Sequence, residues 1–144
     1  MSYLLDTNVI SESERLSPDV NVLAWLGSVT FDQLHISALT VGEIKKGIVK
    51  LPAGRRKAHL QEWFEELREK FFGRVFPLTE KTFVEWGFMV AKFEQQGIVR
   101  PPFDSLIEAT ALEHDLVLVT RNVRNFQYSS VTILNPWEIS FGGE

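Results

Sequence analysis

The chain has no cysteine. Disulfides, thiolate catalysis and Cys-ligated zinc or iron–sulfur centres are therefore excluded. No apolar run approaches the ~18 residues that a membrane-spanning helix needs. The opening residues, Met1 to Asp6, lack a basic leader and meet a carboxylate at once. Neither a span nor a signal peptide is expected, and the expected compartment is the cytoplasm. The nine glycines form no phosphate-cradling loop, and no Ser-His-Asp pattern stands out. His35, His59 and His114 lack ligand spacing and read as structural or surface residues. Positive charge is also in short supply: 15 Lys and Arg against 19 Asp and Glu give a net charge of −4. That balance argues against a general polyanion binder. A nucleic-acid enzyme would need a local basic surface, for which Lys45, Lys46, Lys50, Arg55, Arg56 and Lys57 are candidates. The plainer reading of that run is a solvated helix face and loop.

What is present reads as one globular domain over residues 1–144, with 44% hydrophobic and 24% charged residues. Tyr3–Leu5, Leu34–Ala38, Arg74–Leu78, Leu116–Val119 and Val131–Leu134 read as short apolar strands. Helices are expected between them. One is capped at Ser17 with Pro18 at its first position and carries Val22, Leu23 and Leu26 on one face. A second opens at Thr40. A third spans about 56–72, with Leu60, Trp63, Phe64, Leu67 and Phe71 on one face. A fourth carries Phe83, Trp86, Val90 and Phe93 and stops at Gly97. A fifth runs from about Pro102 to Asp115. Continuous apolar strands alternating with helices indicate an α/β three-layer sandwich, its central sheet mainly parallel and flanked by helices.

In such sheets, sites form beyond the carboxyl ends of the strands. Asp6 ends the first strand. Glu43 lies one turn into the helix after the second. Asp104 opens the helix that leads into the strand at Leu116, and that helix must begin at the same edge. Asn122 follows that strand, so its side chain is expected to reach the acidic cluster as part of the catalytic set. Each has an ordinary explanation: an Asx-turn for Asp6, a Thr40–Glu43 capping box, and a helix-dipole carboxylate for Asp104. Together they place three carboxylates where mutual repulsion calls for a cation. An all-oxygen set suits Mg²⁺ or Mn²⁺ rather than zinc.

A family resemblance rests on four ordered blocks. They are Leu4-Leu5-Asp6-Thr7-Asn8-Val9-Ile10-Ser11-Glu12; Ser37 to Glu43 with Lys46-Gly47; Asp104 to Leu112; and Leu118 to Asn122 with Asn135-Pro136-Trp137. This set resembles PIN-domain toxins of the VapC type, and within them the FitB-like members. The resemblance implies a PIN-like fold and an Mg²⁺-dependent endoribonuclease acting as the toxin of a toxin–antitoxin pair. It implies a homodimer, and a small antitoxin that inhibits the enzyme and carries a DNA-binding domain. By position, Asp6, Glu43 and Asp104 match the family's acidic triad, and Thr7, Asn8 and Thr120 match supporting polar positions. Arg121, Arg55 and Arg56 are candidates for the RNA backbone. Asn122 and Asn125 stand where many relatives carry an acid, which points to weak binding of any second ion. Glu108 stands where Ala is common and is expected to be solvated or ion-paired. The aromatic stretches Trp63–Phe72 and Phe83–Phe93 are either core or a partner surface.

Two other classes stay open on the residues alone. A phosphatase of the haloacid-dehalogenase type wants a second Asp two positions after the first, where this chain has Asn8. A receiver domain wants an acidic pair and a later Lys, and neither pattern is present. A non-catalytic α/β binding module would use the same acids only as caps.

Overall fold

The computed structural model describes residues 1–139. Five strands form one sheet: β1 (Tyr3–Leu5), β2 (Leu34–Ser37), β3 (Val75–Phe76), β4 (Val117–Val119) and β5 (Ile133–Leu134). Their order is β3-β2-β1-β4-β5, and every pairing is parallel. The expected mainly parallel sheet is thus parallel throughout.

Side chains on a strand alternate between its faces, and here both faces are buried. Tyr3, Leu5, Val117 and Val119 enter a core with Val9, Ile10, Trp25, Ile44 and Phe64. Leu4 and Leu118 enter a second core with Ile107, Ala111 and Phe126 on the opposite side. This is why the strands read as unbroken apolar runs. Fully burying a side chain such as Leu4 or Leu118, both 0% exposed, contributes roughly 1.5–3 kcal/mol.

The helices are α1 (Thr7–Glu12), α2 (Val20–Ser28), α3 (Ala38–Val49), α4 (Arg55–Lys70), α5 (Glu80–Gln95) and α6 (Pro102–Glu113). Several expectations need correction. The short helix α1 follows β1 directly and was not anticipated. The cap of α2 is Asp19, whose carboxylate accepts from the backbone of Asn21 (2.9 Å) and Val22 (3.2 Å), rather than Ser17. Val22 and Trp25 form its buried face, while Leu23 is exposed. The helix expected to open at Thr40 starts at Ala38, with Ser37 accepting from the backbone of Leu39 (3.0 Å). Gly97, at φ +77°, ends the α5 turn as expected.

Strands β1, β2 and β3 run outward on one side, and the chain then returns to place β4 and β5 on the other. The reversal lies between β1 and β4, which is where open α/β sheets place their binding sites. Asp6 and Thr120 straddle it, one residue beyond the ends of β1 and β4.

Candidate active site

Asp6 is nearly buried, at 6% exposure. One carboxylate oxygen accepts the backbone N–H of Thr7 at 2.8 Å, and the other accepts the Thr120 hydroxyl at 2.8 Å. Thr120 is fully buried, and its oxygen also accepts from the Asn122 backbone (3.0 Å) and the Asn8 side chain (3.4 Å). The Asn8 carbonyl oxygen in turn accepts from the Arg121 backbone at 3.3 Å. Two strand ends are thereby laced together around one carboxylate.

Glu43 sits one turn into α3, but it is not a capping residue. Its carboxylate accepts the Thr7 hydroxyl at 2.7 Å across 36 residues of sequence. Asp104, in the first turn of α6, accepts from the side-chain amide of Asn125 at 2.8 Å. Each acid is thus held by a neutral donor rather than by a cationic partner.

The electrostatics agree. Burial pushes the Asp6 carboxyl above the ordinary carboxylate range, against the lowering effect of its bonds to Thr120 and Thr7. Glu43 is raised by burial, and further by the charges of Asp6 and Asp104. Asp104 is raised by burial, then by Asp6, with Glu108 adding to the effect and Arg100 opposing it. Glu43 and Asp104 therefore feel the negative charge of the cluster, and the positive charge of Lys46 near Glu43 and of Arg100 near Asp104 does not reverse the upward shifts.

A scan of family models finds the PIN domain across residues 3–129. The chain is similar to the VapC ribonuclease Y4jK of Sinorhizobium fredii, 36% identical over 94% of this chain and 97% of that protein. It is also similar to Toxin FitB of Neisseria gonorrhoeae, 36% identical over 93% and 97% of the two chains. The solved structure of FitAB bound to an IR36 DNA fragment superposes with a TM-score of 0.91 at 33% identity, covering 97% of this chain and 99% of that one. The chain belongs to the PIN domain family.

The PIN fold brings Asp6, Glu43, Asp104, Thr7, Asn8 and Thr120 to one sheet edge, as the sequence suggests. It does not bring them into a closed cage: among the described residues, no group of three His, Cys, Asp or Glu side chains stands ready to hold an ion. The donor chemistry nonetheless fits a hard divalent cation, because all candidate donors are oxygens and their negative charge is under-compensated. Mg²⁺ in particular is commonly held by one or two carboxylates and keeps several waters.

Asn122 was expected to reach the acids with its side chain. It reaches them only through its backbone N–H to Thr120, and its residue is exposed. Asn125, expected only as a missing acid, supplies the contact to Asp104 instead. The 3₁₀ turn Val123–Phe126, anchored by buried Phe126, places it there, and no sequence spacing signals that contact. The basic run is partly committed elsewhere. The Arg56 guanidinium donates to the Glu14 carbonyl, and Lys57 donates to the carbonyls of Val49 (3.1 Å), the last residue of α3, and Leu51 (3.2 Å) beyond it. Arg56 still lines one groove with Thr7 and Glu43. Arg55 is exposed at the start of α4, and exposed Arg121 stacks over Trp137 at 5.2 Å.

Proposed function

We propose that this PIN domain, spanning the whole chain, is a divalent-metal-dependent endoribonuclease and the toxin of a toxin–antitoxin pair. The observation that carries the reading is the meeting of Asp6, Glu43 and Asp104 at the sheet's reversal point, all three carboxyls shifted upward. The names of the relatives, VapC ribonuclease and Toxin FitB, support the substrate class and the biological role.

Asp6 and Asp104 would hold the ion, Mg²⁺ or Mn²⁺, with Glu43 directly or through water. When bound, the ion lowers the pKa of a water and offsets negative charge on the scissile phosphate. Thr120 and Thr7 fix the Asp6 carboxylate, Thr7 also aims Glu43, and Asn125 aims Asp104. Arg121 and the Arg55–Arg56 pair contribute positive charge toward the RNA backbone. Attack by water in line with the departing 3′ oxygen leaves a 5′-phosphate and a 3′-hydroxyl.

A partner protein is part of the proposal. The superposed FitAB structure is a complex bound to DNA, which supports an antitoxin with a DNA-binding domain. Phe72, Phe83 and Phe88 are well exposed, at 88%, 46% and 66%, so part of the aromatic surface is available to an antitoxin or a second copy. Among the described residues no helix is long and apolar enough to cross a membrane, and the proposed compartment is the cytoplasm.

A binding module has one point in its favour: Asp6 does cap α1. The two readings separate on labelled RNA incubated with purified protein, with and without Mg²⁺. The ribonuclease reading expects cleavage that EDTA stops and Asp6→Asn removes; intact RNA under every condition supports the module.

A further inference from the structure

Among the described residues, Arg100 is a buried cation that lies outside the set just described. The Arg100 side chain is 3% exposed and that of Glu108 is 1% exposed. Arg100 Nε donates to one Glu108 oxygen at 2.8 Å and Nη2 to the other at 3.3 Å. Nη2 also donates to the Gln127 carbonyl at 2.5 Å, and the guanidinium lies 4.1 Å from the centre of the Phe93 ring. One planar fork therefore joins α5, α6 and the segment after β4. Glu108 stands one turn beyond Asp104 on the same face of α6. Gln127 stands two residues beyond Asn125, whose amide holds Asp104.

Burying such a pair is costly in desolvation, and apolar side chains of similar volume would fill the space at least as well. Stability alone therefore gives little reason for it. Its geometry does something an apolar plug cannot: it ties the middle of α6, at Glu108, directly to the backbone of the loop carrying Asn125. It also cancels the charge of Glu108, so the acidic cluster faces a neutral pair rather than a fourth carboxylate.

We propose that Arg100 is a positioning residue for Asp104, clamping α6 to the 122–128 segment through Glu108 and the Gln127 carbonyl so that Asn125 holds the Asp104 carboxylate in place. The role of that carboxylate rests on the metal-nuclease reading above. The clamp itself does not.

The test replaces the pair with apolar residues, Arg100→Met with Glu108→Leu, and measures four things: thermal stability, Mn²⁺ affinity by calorimetry, kcat and KM for RNA, and the Asn125 side-chain amide signal by NMR. The double variant is expected to melt near the wild type, to bind Mn²⁺ about tenfold more weakly and to lose about tenfold in kcat at unchanged KM. Its Asn125 amide resonance should move to a solvent-exposed position. Asn125→Ala should cause the same Mn²⁺ loss, and should add nothing in the double-variant background, because both act through one contact. Arg100→Lys keeps the charge but not the fork, and serves if the double variant does not fold: it should show the same changes in reduced degree. Wild-type Mn²⁺ affinity, kcat and Asn125 signal in the double variant, or in Arg100→Lys where only that variant folds, would overturn the proposal. So would full additivity with Asn125→Ala. If the wild type binds no Mn²⁺, the metal reading fails, and the Asn125 resonance still decides the clamp.

Discussion

At the residue scale, the site is a set of carboxylates held by neutral donors. Asp6→Asn and Asp104→Asn should each lower RNA cleavage by more than about 100-fold, since loss of even an outer-shell partner costs roughly 10–100-fold. Asp104→Asn should not destabilise the metal-free protein, because it removes one charge from a repelling group and keeps an oxygen for the Asn125 amide, whereas Asp6→Asn sets an NH2 group against one of the two donors that Asp6 accepts and should lower stability modestly. The pH dependence follows from the upward shifts of Asp6, Glu43 and Asp104. The folded chain binds protons at these groups more tightly than the unfolded chain, so their contribution to stability is present in full below the ordinary values of 3.8 and 4.5. It is lost as pH rises through the raised values. Melting curves across that range should show Asp104→Asn gaining on the wild type as pH increases. Mn²⁺ at neutral pH should raise the wild-type melting temperature by linkage and leave Asp104→Asn nearly unmoved. The asparagines separate likewise: Asn125→Asp should shift the Mn²⁺ concentration for half-maximal cleavage more than Asn122→Asp. A larger effect at Asn122 would show that its side chain reaches the acids after all.

At the scale of elements, the strands, the later helices and the edge carrying the acids were legible because they follow from apolar period and from helix direction in a parallel sheet. Helix starts were less legible. Ser17-Pro18 and Thr40 carry capping signals, but Asp19 and Ser37 do the capping, since the cores around Val22 and Ile44 set where each helix begins. Helix α1 is six residues long, too short for a periodic signal. The acids themselves could be placed by position, whereas their partners could not: Thr7–Glu43, Asn125–Asp104 and Arg100–Glu108 are contacts between side chains, invisible to spacing. Thr120, just past β4, is the junction of this lacing. Thr120→Val should cost about 1–3 kcal/mol, measured by urea unfolding, because the Asn122 N–H loses its acceptor in a partly buried setting. It should also lower cleavage by releasing one oxygen of Asp6. Unchanged stability would mean that water replaces the hydroxyl without loss.

At the scale of the whole molecule, a modestly acidic protein is proposed to act on a polyanion, which places a premium on local rather than net charge. Cleavage should weaken steeply with salt if Arg121 and the Arg55–Arg56 pair face the RNA, and Arg121→Ala should flatten that salt dependence while leaving Mn²⁺ affinity intact. The exposed aromatic residues on α5 and just past α4 fit a molecule that does not work alone, so a dimer by light scattering and co-purification of a small DNA-binding partner are the expected outcomes. The central claim is that Asp6, Glu43 and Asp104 act as one metal-dependent hydrolytic centre for RNA. Its most direct test is the chemistry of the cut ends when purified protein cleaves a labelled RNA in Mg²⁺ or Mn²⁺. The expected products carry a 5′-phosphate and a 3′-hydroxyl, and none form in EDTA or with Asp6→Asn. Cleavage that persists in EDTA and leaves a 2′,3′-cyclic phosphate would contradict the account.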